Sequence, residues 1–337
     1  MEVVLRFLVV GLGSMGKRRV RNLLAMDYKD VAGFDLRADR RAEAEQKSGV
    51  RTFADFDTAI AEHKPDALVI STPPQYHFLY ADKSFALGKP CFVEASVVDA
   101  DKFLALYERS LKTDILVAPS CTMRYYPGPK KVKELIRAGA IGKPLNFNYT
   151  TGQYLPDWHP WEKVEDFYVS NRDTGACREI VPFELTWLND IFGDAEPLAC
   201  SRAKVTDINA DIDDVYHCLL RYPGNMLANL TVEVVSRPKA TREFRVLGSE
   251  GQIVFSGEER CVRYCNLQNK EWVRHEWSSG TVESNYINPE EPYIAELGTF
   301  VNAVKQRDRS LYPNSLKDDH GILQTLYRLE ELSGKNA

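Results

Sequence analysis

Gly11, Gly13 and Gly16 in the run RFLVVGLGSMGKRR, residues 6–19, have the spacing of a turn that cradles a diphosphate. The first glycine permits a tight turn, the second lets the backbone approach a pyrophosphate, and the third allows the following helix to pack closely on the preceding strand. Ser14 and Met15 fall inside that turn, where the first N–H groups of a helix and its dipole favour an anion. Asp35 closes the next apolar run, 19 residues after Gly16. Its carboxylate can accept both ribose hydroxyls of an adenosine and would repel a 2′-phosphate, so the expected cofactor is NAD. Arg37 and Arg40 stand close behind, as hosts for such a phosphate or as solvated surface residues. Arg37 is grouped with the cofactor set.

A second stretch, CFVEASVVDADKF at 91–103, raises the opposite issue. It begins as a buried strand and ends on Glu94. Ala95 and Ser96 then occupy the place where a cofactor-dependent enzyme of this layout would put its proton-handling group. Hydride transfer from an alcohol needs a proton acceptor, and a positioned general base contributes about 10² to 10⁴ in rate.

The elements that must position these residues follow from the apolar pattern. Short runs at 6–11, 31–35, 66–71, 90–94 and 115–120 alternate with helical segments, the signature of βαβ units around a parallel sheet. Near-continuous Val, Ile, Leu and Phe in these runs implies helices on both faces. This predicts an α/β protein whose first domain, 1–122, is a doubly wound Rossmann sheet. After a helix at 128–138 the pattern changes to half-exposed strands such as NMLANLTVEV at 225–234 and a hairpin at 243–257 around Gly-Ser-Glu-Gly. Residues 123–337 are therefore expected to form a substrate-binding and oligomerisation domain on an open, predominantly antiparallel sheet. Helices at 290–307 and 316–333 would return toward the first domain.

A chain of 337 residues suits two domains, and 44% hydrophobic with 27% charged residues is a globular composition. The net charge of −5 gives no footprint for nucleic acid, and the cluster KRRVR at 17–21 reads as a solvated helix face. No apolar run approaches the ~20 residues of a membrane span, and no signal peptide is recognisable. Seven cysteines without a CxxC pair fit a reducing, cytoplasmic protein, with Cys261 and Cys265 on one strand. No metal-ligand spacing is present.

At STPPQYHF, 71–78, a family pattern comes into view. Thr72-Pro73-Pro74 with His77 after a third strand, Val93-Glu94 after the next, MRYYPGPKKVKELIRAGAIGKP at 123–144 and the closing strands and helices resemble the Gfo/Idh/MocA family of nicotinamide-dependent sugar oxidoreductases. QYLPDWHPWE at 153–162 is similar to a subgroup associated with amino-sugar and surface-glycan pathways. The resemblance implies NAD contacts from Ser71, Thr72, Pro73, His77 and Glu94, with His77 also readable as a pocket wall or helix start. The family's Glu-Lys-Pro stretch is here Glu94, Ala95 and Ser96. Its second motif aligns with TGACREIVPFEL at 174–185, where Gly175 is kept, the family's Asp becomes Glu179 and its His becomes Phe183.

With the lysine and that histidine absent, other groups must handle the proton. His159, because an imidazole ordinarily titrates near neutrality, is the first choice for acid/base, or else is simply packed in its Trp- and Pro-rich loop. Glu179 faces the substrate or pairs with Arg178. Glu184 replaces the lost imidazole spatially or serves its helix. Arg124, Tyr126, Tyr154, Asp157 and Arg178 are expected to bind substrate hydroxyls, while Cys177 and the remaining histidines are structural. The resemblance implies an NAD-dependent oxidoreductase acting on a sugar or nucleotide-linked amino sugar, joined through its C-terminal sheet as a homodimer or homotetramer. An NAD-retaining lyase, epimerase or hydrolase and a non-catalytic sugar sensor stand as alternatives.

Overall fold

A computed structural model describes residues 5–284, 286 and 288–334. They divide into two compact units, one running to Thr122 and taking in Glu290–His320, the other comprising Met123–Pro289 and the chain from Gly321.

In the first unit β1 (Phe7–Val10), α1 (Ser14–Ala25), β2 (Val31–Phe34), α2 (Ala38–Ser48), β3 (Arg51–Phe53), α3 (Phe56–His63), β4 (Ala67–Ile70), α4 (His77–Ala86), β5 (Cys91–Val93), α5 (Ala100–Ser110) and β6 (Val117–Pro119) alternate. The sheet order is β3-β2-β1-β4-β5-β6 and every pairing is parallel. The order reverses between β1 and β4, so the carboxyl ends of those strands flank the crevice where doubly wound sheets bind ligands. β1, β2 and β4 are buried at every position, as strands covered on both faces must be. One side of the sheet packs Leu8, Val10, Phe34, Ile70 and Val93 against Phe56, Phe103 and Leu106. The strands match the expected runs to within two residues. β3 was not expected, because three residues with Arg51 exposed carry no readable period.

One expectation is overturned here. The KRRVR cluster is not a solvated face: Arg18 is 3% and Arg19 0% exposed. Glu290, which precedes α8 (Glu291–Gln306), accepts from Arg18 Nε at 3.1 Å, Arg21 Nη2 at 3.1 Å and Asn22 Nδ2 at 2.7 Å. The guanidinium groups tolerate burial because carboxylates are buried with them.

The second unit holds α6 (Pro127–Arg137), β7 (Pro144–Gly152), α7 (Cys177–Phe192), β8 (Glu196–Ala203), β9 (Val215–Tyr222), β10 (Met226–Glu233), β11 (Thr241–Gly248), β12 (Gly251–Ser256), β13 (Cys261–Asn266) and β14 (Val273–Glu276). α9 (Leu316–Gly334) starts in the first unit and continues into the second. The strand order is β14-β13-β12-β11-β7-β10-β9-β8, antiparallel except for the parallel pair β7 and β10. On β10, Met226, Ala228, Leu230 and Val232 are buried while Leu227 and Asn229 share the other face. Trp187 of α7 meets Tyr149 and Phe244 of the sheet edge-on at 5.5 and 5.3 Å. That aromatic seam fixes α7, and with it the helix start that matters below. Among the described residues no helix is long and apolar enough to cross a membrane.

Candidate functional site

The glycine turn is built as its spacing predicts. Gly11 has φ +91°, and a Cβ there would lie 2.7 Å from the Ser71 carbonyl oxygen; at Gly16 it would lie 1.8 Å from the Gly11 carbonyl oxygen. The protein itself requires both glycines. It does not require Gly13, whose added Cβ would meet nothing nearer than Arg40 Nη1 at 3.4 Å. Gly13 also caps α1 with no side-chain hydrogen bond, and Ser14 and Met15 open the helix behind it. A bare turn at a helix N-terminus fits a diphosphate.

Asp35, 8% exposed, accepts the Leu12 N–H on Oδ2 and the Arg37 N–H on Oδ1, each at 2.8 Å. The carboxylate is therefore locked beside the turn with lone pairs to spare for a ribose. The two arginines take different places. The Arg37 side chain is turned to Asp39, Nη2 to Oδ2 at 2.6 Å, and both are exposed. Arg40 is the arginine beside the turn, with Nη1 3.8 Å from Asp35 Oδ2.

Across the crevice, Ser71, Thr72 and Pro73 follow β4. Thr72 Oγ1 is buried and has no partner among the described residues. Beside it His77, 1% exposed, opens α4. Its Nε2 lies 2.7 Å from the Thr72 carbonyl and its Nδ1 2.9 Å from Ser96 Oγ. A carbonyl only accepts, so Nε2 carries the proton and Nδ1 receives the Ser96 hydroxyl. Burial pushes His77 down to about 4, and the ring is neutral. With both nitrogens engaged it offers neither to a cofactor: it is the helix-start reading, not the contact reading, that its geometry fits.

Glu94 is likewise committed within the protein. Arg19 grips it through Nε at 2.6 Å and Nη2 at 3.0 Å, and Ser71 Oγ donates to it at 3.2 Å. Arg19 also reaches Glu296 Oε2 at 3.0 Å. Glu296 is fully buried and accepts from Ser120 Oγ, Thr122 Oγ1 and the Cys121 N–H. Burial raises its carboxyl above the usual range, with Arg19 opposing.

The second unit supplies the start of α7. Tyr168 OH donates to Glu179 Oε1 at 2.8 Å, and Phe183 lies one turn further along the same face, half-buried. Arg178 Nε donates to Glu330 Oε1 at 2.7 Å. His159 is stacked between Trp161 and Phe167, with ring centroids at 5.0 and 4.7 Å, and its Nδ1 is 3.3 Å from Glu162 Oε2. Tyr154 carries the Arg237 guanidinium 4.6 Å from its ring, and Asp157 is exposed. Tyr126 precedes α6 half-buried, and Arg124 donates to the Thr186 carbonyl at 3.0 Å.

Glu184 does not fit the role of a substitute imidazole. It is 0% exposed, and its carboxylate is held by Tyr149 OH at 2.7 Å, Trp187 Nε1 at 2.8 Å and Arg242 Nη1 at 3.0 Å. An enclosed, paired carboxylate serves the interior. Cys177 is buried, and burial lifts its thiol far above the ordinary value, so it packs rather than reacts. Two residues were missed: Tyr168, whose sequence context gives no signal beyond an aromatic near a turn, and Arg237. No cluster of three or more His, Cys, Asp or Glu side chains suits a metal among the described residues.

Comparison with known proteins gives this geometry a context. Residues 5–112 match the model of the oxidoreductase family with an NAD-binding Rossmann fold, and residues 130–254 match the GFO/IDH/MocA C-terminal domain. The myo-inositol 2-dehydrogenase of Thermotoga maritima is 27% identical, over 89% of this chain and 88% of that one. The UDP-N-acetylglucosamine 3-dehydrogenase of Acidithiobacillus ferrooxidans is 26% identical, over 69% and 68%. An oxidoreductase from Agrobacterium radiobacter, solved with NAD+, L-tartaric acid and magnesium, superposes with a TM-score of 0.85 at 16% identity, covering 99% of this chain and 98% of that one.

Proposed function

The chain belongs to the Gfo/Idh/MocA family of NAD-binding oxidoreductases, and from that premise we propose that it oxidises a secondary hydroxyl of a sugar or nucleotide-linked amino sugar, with Glu179 as proton acceptor. The observation that carries the assignment is the hydrogen bond from Tyr168 OH to Glu179 on the first turn of α7, the residue that the resemblance puts at the family's acidic position, one turn from Phe183. NAD supplies the hydride acceptor. Gly11, Gly13, Ser14, Met15 and Gly16 would hold its diphosphate, Asp35 its adenosine ribose, and Thr72 Oγ1 a further polar edge. As the carbinol hydrogen leaves with its electron pair, the hydroxyl proton passes to Glu179, and Tyr168 keeps that carboxylate aimed. The acetamido-sugar nucleotide named for the Acidithiobacillus relative, together with the aromatic segment carrying Tyr154, His159 and Trp161, supports the nucleotide-sugar reading. Arg124, Tyr126, Tyr154 and Asp157 remain the proposed hydroxyl-binding set, Arg178 being engaged by Glu330, with His159 as the reserve base beside Glu162.

The test is NADH formation with myo-inositol, D-xylose and UDP-N-acetylglucosamine. Glu179→Gln should lower kcat by roughly 10² to 10⁴ with NAD affinity unchanged, and His159→Ala by much less. Full turnover by the Glu179 variant defeats the assignment. Turnover with NAD retained would identify a transient redox cycle, and binding without turnover a sensor.

We also propose that the chain is a homodimer or homotetramer assembled through the second unit's sheet, whose outer face exposes Leu219, Leu227 and Leu247 at 41%, 42% and 37%. A monomer mass by light scattering at micromolar concentration would contradict this. The seven free cysteines support a reducing, cytoplasmic setting.

A further inference from the structure

The backbone that presents Glu179 is held against its own preferences. Gly175 lies flat on residue 169, so that an added Cβ would be 2.2 Å from Val169 Cα. Ala176, the residue before α7, has φ +57° and ψ −135°, a conformation that an L-residue with a Cβ rarely adopts. Pro182 inside α7 has no N–H, so the Arg178 carbonyl receives no bond from the residue four positions on. Arg178 itself puts a cation in the first turn, at the end of the helix dipole that disfavours positive charge.

Something must offset these costs, and the side chain of Arg178 shows what. Nε and Nη2 donate to Glu330 Oε1 and Oε2 at 2.7 and 3.3 Å, and Nη1 donates to the Asp173 carbonyl. The two partners are only 12% and 16% exposed, where an ion pair is poorly screened. Glu330 is anchored in turn: Tyr216 OH of β9 donates to it at 3.3 Å, and Arg202 Nη1 of β8 lies 3.7 Å away. Arg202 also meets Asp213 at 3.1 Å, and Asp213 meets Arg172, in the loop before α7, at 2.7 Å.

We propose that Glu330, on the C-terminal helix α9, is a positioning residue for Glu179. Through Arg178 it clamps the strained first turn of α7, so that the Tyr168–Glu179 hydrogen bond is preformed before substrate arrives. The inference rests on the reading of Glu179 as proton acceptor.

The experiment compares full-length wild type, Glu330→Gln, Glu330→Asp and Arg178→Met with NAD present. Hydrogen exchange over residues 168–181 and the kinetics of oxidation of UDP-N-acetylglucosamine and myo-inositol are both measured. In Glu330→Gln, exchange at 176–181 should accelerate by about tenfold or more while the strands of the first unit keep their protection. kcat should fall about tenfold with KM for the sugar and the Kd of NAD little changed. Glu330→Asp should restore part of both, and Glu330→Gln combined with Arg178→Met should be no worse than either alone. Unchanged exchange at 176–181 overturns the proposal, as does faster exchange with wild-type kcat, or acceleration spread evenly over the chain. If wild type oxidises neither sugar, the assignment of Glu179 fails separately, and the exchange of 176–181 still decides whether Glu330 holds the turn.

Discussion

Replacing Arg19 by Met should destabilise the first unit severely, and by an amount that depends on pH. Arg19 has no exposed surface and bridges Glu94 and Glu296 while its guanidinium sits 4.5 Å from the Phe92 ring. Methionine fills comparable volume but leaves two buried carboxylates with no cation between them. Breaking a buried pair from one side costs about 3–5 kcal/mol. Set against a typical folding stability of about 5–15 kcal/mol, that is a large fraction. The pH dependence follows from Glu296, whose carboxyl is raised by burial and by Glu94 and lowered by Arg19 and its hydrogen bonds. A carboxyl raised in the folded state binds its proton more tightly there than in the unfolded chain. Stability is therefore lost as pH rises from the ordinary glutamate range through the folded value. Without Arg19 the raising influences act less opposed, so the variant loses more over that window. The deficit should be near the full figure at pH 8 and smaller at pH 5.5, toward the range where protonation of Glu296 removes its need for a counter-charge. Urea unfolding followed by far-ultraviolet circular dichroism at both pH values measures it. All five tryptophans lie between Trp158 and Trp277, in the second unit, so their fluorescence serves as an internal control. Adding Glu296→Gln to the variant should recover part of the loss. A deficit below about 1 kcal/mol, or one equal at both pH values, would refute the account of the cluster.

Two further outcomes concern the cofactor turn. The unmodified chain should bind NADH more tightly than NADPH, and Asp35→Ala should weaken NADH by about 1–3 kcal/mol and narrow the preference; fluorescence titration showing NADPH bound as well or better by the unmodified chain would remove Asp35 from this role. Gly13→Ala should fold with near-normal thermal stability yet bind NADH poorly, whereas Gly16→Ala, whose Cβ would sit 1.8 Å from the Gly11 carbonyl oxygen, should lose stability even without cofactor, so equal melting temperatures for the two variants would contradict the distinction.

Much of this architecture was legible because apolar periodicity and glycine spacing are local signals. β1, β2 and β4 carry unbroken apolar runs, and the turn at Gly11–Gly16 has a steric logic readable without neighbours. Charged residues were read least well. Arg18 and Arg19 look like surface residues until Glu290, Glu94 and Glu296, up to 277 positions away, come to meet them. Pairing across such separations leaves no local trace. Glu184 is different, since its fate was available in the sequence. Cys177, Val181, Glu184, Leu185 and Leu188 recur at i, i+4, i+7, i+8 and i+11, the buried stripe of an amphipathic helix, and all are buried. Glu179 and Phe183 lie off that stripe. Helix phase alone therefore separates the carboxylate that serves the core from the one that lies off the buried stripe.

The same logic explains why Ala95 and Ser96 do not amount to a catalytic lysine with its charge erased. Ser96 is 7% exposed and donates a hydrogen bond to His77, whose Nε2–H donates one to the Thr72 carbonyl. That carbonyl belongs to the loop that follows β4, beside the orphaned Thr72 hydroxyl. Ser96 thus shapes the backbone at the crevice of the first unit, and Ala95, at the lysine's position, carries no titrating group. Glu94 cannot take over, because Arg19 occupies both its oxygens. His77 cannot either, being neutral, buried and bonded at both nitrogens. Glu94 and His77 are thus both spent on structure. The proposed proton acceptor, Glu179, accepts from Tyr168 OH at the start of α7 instead.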